Sequence, residues 1–193
     1  MRPLTRAAPG PLPVLYQDDD LVVVNKPSGL AAHRGWSDEG GDYVLTRVRD
    51  AVGHHVHLVH RLDRATSGAI LLVFRSELVE PLQRAFQEGR VDKRYLALAR
   101  GAMPEHTVVD YAIPRSEDNK EDRVEARTEF RLLGIYAGRY SWVEAHPTTG
   151  RLHQIRRHLK HIFRPIIGDT TYGDGKENRL FRERFELHRL ALH

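Results

Sequence analysis

Apolar positions along this chain fall mostly into short runs of strand character, interrupted twice by helical spacing. "LVVVNKP" (Leu21 to Pro27) is a continuous β-branched run stopped by Pro27 and Gly29, which predicts a buried strand. "GAILLVF" (Gly68 to Phe74) predicts a second, and the alternating "RYLALARG" (Arg94 to Gly101) a third. "ARTEFRLLGIY" (Ala126 to Tyr136) and "RYSWVEAHP" (Arg139 to Pro147) predict two more, joined by a turn containing Gly138. In "LVEPLQRAFQEG" (Leu78 to Gly89), Leu78, Leu82 and Phe86 share one face; the helix is expected to begin near Pro81 and to stop at Gly89. In "GRLHQIRRHLKHIF" (Gly150 to Phe163), Leu152, Ile155, Leu159 and Ile162 form one apolar stripe. "SEDNKEDR" (Ser116 to Arg123) reads as a solvated, mobile loop. With no repeat and no linker, the pattern predicts one α+β domain over 14–193 on an antiparallel or mixed sheet, behind a flexible lead-in at 1–13.

Composition narrows the class. A chain of 193 residues with 40% hydrophobic and 29% charged residues can bury one substantial core and is not of disordered type. It contains no cysteine, which excludes disulfides, thiolate nucleophiles and Cys-ligated zinc, and fits a reducing cytoplasm. "MRPLTRAAPGPLP" has no apolar segment behind its arginines and makes a poor signal peptide. No stretch approaches the roughly 20 apolar residues of a membrane span. The formal net charge of +4 fits a polyanionic partner, though many enzymes share that balance.

The local distribution of charge says more. From Arg151 to Arg164 the chain carries Arg151, Arg156, Arg157, Lys160 and Arg164 with His153, His158 and His161, and no acid. Such a helix, opened by "TTG" with its amides facing outward, is suited to a nucleic-acid backbone; the bland alternative is a solvated face. Arg156 differs from the others. It sits at the margin of the apolar stripe, so its guanidinium should be partly desolvated and should want a carboxylate close by. Asp63 is the candidate. "HLVHRLDRATSGAILLV" (residues 57–73) sets His60, Arg61, Asp63 and Arg64 directly ahead of a buried strand, where charge needs a partner or solvent. A structural salt bridge is the plain alternative. The histidines of "GHHVHLVH" (His54, His55, His57, His60) include two on one strand face, but no acid or further ligand falls at metal-binding spacing, so no metal site is expected. Lys26 could contact phosphate or simply be solvated. Arg179, Arg182 and Arg184 could extend a basic surface, diluted by Glu183 and Glu186.

"LVVVNKPSGLAAHRG", "HRLDRATSG" before an apolar strand, "KRYLALARG" and "TTGRLHQIRRHLKHIFRPIIGDTTYGD" together resemble the RluA-type pseudouridine synthases, in that family's order and spacing, from about Leu15 to the end. "AAHRGWSDEG" and "PIIGDTTYGDGKENR" look most like the branch acting on tRNA uridine 65. The resemblance implies a mixed, largely antiparallel sheet flanked by helices, with a central RNA-binding cleft. It implies Asp63 as the nucleophilic carboxylate, Arg61 filling the space of a flipped uridine, and Tyr95 stacking on the target base and assisting proton removal. It implies Arg156 paired with Asp63 and Ile155 beside the base, while His60, Arg151, Arg157 and Lys160 are expected at the RNA. Extruding a uridine costs a few kcal/mol, and a single ionised carboxylate can attack the sugar or stabilise its positive charge. No metal or organic cofactor, no membrane and no obligate protein partner are implied; the expected partner is tRNA, with rRNA as the alternative. The S4-type RNA-binding module of many relatives has no counterpart here, and the chain stops at "RLALH" where relatives add a strand. Two rivals remain: an RNA-binding protein without catalysis, and a hydrolase of a glycosidic bond, which would ordinarily need two facing carboxylates.

Overall fold

The β-branched run at Leu21–Lys26 forms a strand, β2, whose alternate residues Val22, Val24 and Lys26 are buried. It lies between β1 (Val14–Gln17) and β4 (Gly68–Val73), and β3 (His57–Leu58) borders β4, giving the order β1-β2-β4-β3 with antiparallel pairing throughout. The computed structural model describes residues 10–34, 41–185 and 192–193. It divides into two compact units between Glu88 and Gly89. "SDEG" and the first nine residues of the lead-in lie outside the described residues, whereas Leu12 joins the first core and Pro13 O accepts from Asn25 N at 2.8 Å.

In the first unit, Val22, Val24, Ile70 and Leu72 from the sheet pack with Val44 and Val48 of α1 (Val44–Val52). The sequence pattern above does not predict this helix; it closes with Gly53 at φ 77° donating to Arg49 O. The helix predicted over Leu78 to Gly89 is α2 (Val79–Gln87), led by a 3-10 turn at Ser76–Leu78. Pro81 falls in its first turn, where a missing N–H costs nothing. Gly89 takes φ 72° just past its end.

The second unit carries β5 (Tyr95–Arg100), β6 (His106–Asp110), β7 (Ile113–Pro114), β8 (Arg123–Val124), β9 (Arg127–Tyr136) and β10 (Tyr140–Pro147), then α3 (Gln154–His161) and α4 (Gly175–Phe185). Its main sheet runs β5-β10-β9-β6, and β7 and β8 form a separate ribbon around the charged loop. The β9–β10 connection has three residues between the paired Tyr136 and Tyr140; Ala137 at φ 49° and Gly138 at φ 67° turn the chain, and Arg139 N donates back to Tyr136 O at 3.2 Å. β5 is an edge strand, but other segments take up its edge groups: Arg100 N donates to Pro165 O, Ile167 N to Leu98 O, and Leu96 exchanges both bonds with His193. The sequence pattern predicts a single sheet. The strands divide instead among two four-stranded sheets and a ribbon, because each set pairs within its own half of the chain. The α+β class and the antiparallel pairing agree with expectation.

Ile70 is fully buried at the centre of the first core. Ile70→Ala should lower the unfolding free energy by about 2–5 kcal/mol, read from chemical denaturation, while a change at the exposed Ala69 should leave it within about 0.5 kcal/mol.

Candidate active site

The segment "HRLDRATSG" is held by the loop that follows β2. Lys26 does not face phosphate or solvent: it is 0% exposed, and its Nζ donates to Pro27 O at 3.1 Å, Leu30 O at 2.8 Å and Arg64 O at 3.1 Å. Gly29 N also donates to Arg64 O, at 2.8 Å, and Arg64 Nε returns a bond to Gly29 O at 3.0 Å. Ser28 Oγ donates to Ala65 O. Thr66 N closes a turn onto Asp63 O at 3.0 Å. These bonds fix the backbone on both sides of Asp63, whose side chain is half-buried, while Arg61 is exposed and Leu62 is buried between them. His60, expected at the RNA, accepts from Leu71 N through Nε2 at 3.0 Å and stacks on Phe86 at 4.6 Å. A backbone N–H requires an acceptor, so Nε2 presents its lone pair to Leu71 in this arrangement.

In the second unit Tyr95 opens β5 opposite Ala145 and is half-buried. The basic stretch is not one helix from Gly150. Gln154 anchors the preceding turn: its Oε1 accepts from Thr149 Oγ1 at 2.6 Å and Arg151 N at 3.0 Å, and its Nε2 donates to Arg127 O and Thr128 Oγ1. His153 sits at φ 54° before the first helical residue. The amides near "TTG" are thus engaged internally at Arg151, and no outward-facing helix start forms there.

Most of the positive charge is likewise used inside. Arg156 is buried, as its place beside the apolar stripe predicts, and Asp169 meets it with both carboxylate oxygens: Nε donates to Oδ2 at 2.8 Å and Nη2 to Oδ1 at 3.0 Å. The sequence analysis names Asp63 for that role. Asp63 and Arg156 belong to different units, and their pairing is taken up below as part of a proposal. Burial alone would push the Asp169 carboxyl up, but Arg156 and the amides of Tyr172 and Thr171 outweigh burial and hold it below the usual carboxylate range. Arg157, expected at RNA, donates from Nε to Tyr172 Oη at 2.9 Å and from Nη1 to Pro114 O at 2.5 Å. His158 is fully buried between Thr128 Oγ1 at 2.9 Å and Tyr111 O at 3.0 Å, and burial pushes its pKa down despite the carbonyl. Ile155 is buried, whereas Arg151 and Lys160 are exposed, as are Arg179, Arg182 and Arg184. Among the described residues no three His, Asp or Glu side chains gather as a metal-ligand set, and no helix is long and apolar enough to cross a membrane.

These residues carry family identity as well as local structure. Residues 20–161 match the family described as RNA pseudouridylate synthase. The tRNA pseudouridine synthase C of Vibrio parahaemolyticus is 40% identical over 205 residues, covering 96% of this chain and 83% of that protein. The protein of the same name from Salmonella typhimurium is 42% identical over 201 residues, covering 94% of this chain and 77% of its own. Among solved structures, Human RNA Pseudouridylate Synthase Domain Containing 1 superposes with a TM-score of 0.78 at 29% identity, over 97% of this chain and 79% of that one. The chain belongs to the RNA pseudouridylate synthase family and is an isomerase. Neither a non-catalytic binding module nor a hydrolase is favoured beside that match.

Two consequences can be measured. Lys26→Met removes the donor from three carbonyls and should destabilise the first unit by about 2–4 kcal/mol, with faster hydrogen exchange at the Gly29 amide. Because His158 has a folded pKa below its unfolded value, the unfolded chain binds the extra proton as pH falls through about 6.5. Stability should therefore be complete above that value and decline on acidification. Denaturation midpoints from pH 7.5 to 5.5 should fall more steeply in the native chain than in His158→Gln.

Proposed function

We propose that this enzyme converts uridine to pseudouridine in tRNA, with uridine 65 as the target, in the cytoplasm and without a cofactor. The relatives that cover nearly all of this chain are named for tRNA, which supports tRNA over rRNA. The assignment of Asp63 as nucleophile is supported by one local observation: a part-exposed carboxylate on a backbone pinned by Lys26, Gly29 and Thr66. Positional constraint of that kind is what a displacement at a sugar carbon requires.

The chemistry is balanced within the substrate. The uridine leaves its stack, and the flat guanidinium of Arg61 takes its place, offsetting lost stacking. The bond from N1 to the sugar breaks as the Asp63 carboxylate attacks or steadies the positive sugar carbon. The uracil turns while enclosed, its C5 bonds to the sugar as any bond from the sugar to Asp63 breaks and the carboxylate is regenerated, and the proton lost from C5 is matched by one gained at N1. Tyr95 is assigned to stacking on the base and to helping that proton leave; Ile155 packs beside the ring. Arg156 is assigned to the carboxylate of Asp63 as well as to that of Asp169. Arg151 and Lys160 remain for the phosphates, while His60 and Arg157 serve the RNA through the loops they hold rather than by direct contact.

Asp63→Ala should lower tritium release from C5 of uridine in a tRNA transcript by more than about 10³-fold, while transcript binding survives and still weakens with salt. A variant that turned over normally would remove Asp63 from the mechanism. Mapping pseudouridine in tRNA and rRNA from cells with and without the gene tests the target; loss of the modification from rRNA alone would overturn the tRNA assignment.

A further inference from the structure

Among the described residues Arg156 and Lys26 are buried Lys or Arg side chains, and the surroundings of Arg156 are more specific than a counter-ion requires. Asp169 meets it edge to edge, taking Nε on one carboxylate oxygen and Nη2 on the other. The Tyr172 ring lies against the guanidinium, 5.0 Å from its carbon. Asp169 is itself immobilised. Its Oδ1 also accepts from Thr171 N at 2.9 Å and Tyr172 N at 3.0 Å. Its backbone carbonyl accepts from Asn178 Nδ2 at 2.8 Å, and the same amide side chain accepts from Gly168 N at 2.8 Å. Gly173 closes the loop so tightly that a Cβ there would collide with the Asp169 carbonyl. A long side chain with about 2 kcal/mol of rotamer entropy is thereby reduced to one direction before any RNA arrives.

We propose that Asp169 is a positioning residue for the isomerisation: it sets the plane and direction of the guanidinium of Arg156, the cation assigned above to the reacting carboxylate. The proposal rests on the catalytic use of Arg156 set out above. A bidentate carboxylate suits the task because it fixes orientation as well as charge, which a single carbonyl acceptor would not.

Asp169→Asn isolates the effect. Asparagine keeps an oxygen for the amides of Thr171 and Tyr172, so the turn can persist, but it turns an N–H toward Nε of Arg156, where an acceptor is needed. Single-turnover rates on a tRNA transcript should fall roughly 10²-fold with the dissociation constant for the transcript and the folded fraction at assay temperature unchanged. In an Arg156→Lys background, which has no planar fork to align, the same change should cost no more than about threefold. A rate equal to that of the native enzyme, a loss that follows the unfolded fraction, or the same factor in both backgrounds would each overturn the proposal. The two levels are separable. Arg156→Lys with native turnover would remove Arg156 from catalysis and Asp169 with it. Loss in Arg156→Lys beside native turnover in Asp169→Asn would remove Asp169 alone.

Discussion

A cation taken out of water must be surrounded by oxygen, and each unit of this protein is organised around one such cation. In the first unit Lys26 ends a core strand and would be an uncompensated charge if its Nζ met only apolar side chains. Three carbonyls meet it instead, and they come from the two loops whose relative placement fixes Asp63. In the second unit Arg156 is enclosed by Asp169 and Tyr172, drawn from the loop ahead of α4. Desolvation makes these contacts obligatory: losing either set of acceptors would leave a buried charge that the fold could not tolerate. The rigidity that chemistry at a sugar carbon demands follows from a requirement of folding.

The same constraint alters the meaning of the basic segment. Counted along the chain, Arg151 to Arg164 is a dense run of one sign that suggests a nucleic-acid face. In three dimensions Arg156, Arg157, His153 and His158 each have partners inside the second unit, and only a minority of the run, Lys160 and His161 among them, stays exposed on α3. A cluster of like charges is tolerable on one short helix because most of its members are hydrogen-bonded to other elements rather than facing one another across water.

What the sequence disclosed and what it withheld divide along physical lines. The strands at Leu21, Gly68, Tyr95, Arg127 and Tyr140 were legible because β-branched and alternating residues report burial on a sheet directly. The burial of Arg156 was legible from its place on the helical wheel, a purely local property. That Asp169 binds it was not, because a tertiary partner cannot be chosen from residue type alone. α1 and β1 went unpredicted, the first short and the second four exposed residues whose pairing with β2 no pattern announces. The start of α3 was misplaced because the side chain of Gln154 satisfies the turn before it, a use of Gln that spacing does not reveal. The family was legible because four motifs occur in order; the bonds of His60 to Leu71 N and of Arg157 to Pro114 O and Tyr172 were not, because residue type alone does not name a tertiary partner.

The edge of β5 has a consequence for how the second unit is made. Its donors and acceptors are met by Pro165 and Ile167 and, much later, by His193. A ribosome delivers the strand well before those clasps, so the nascent chain carries a bare strand edge until Pro165 and the residues after it have been made. That is the geometry on which pairing between neighbouring polypeptides begins. Yield in the cell then depends on how quickly the distant clasps arrive as much as on the stability of the finished molecule.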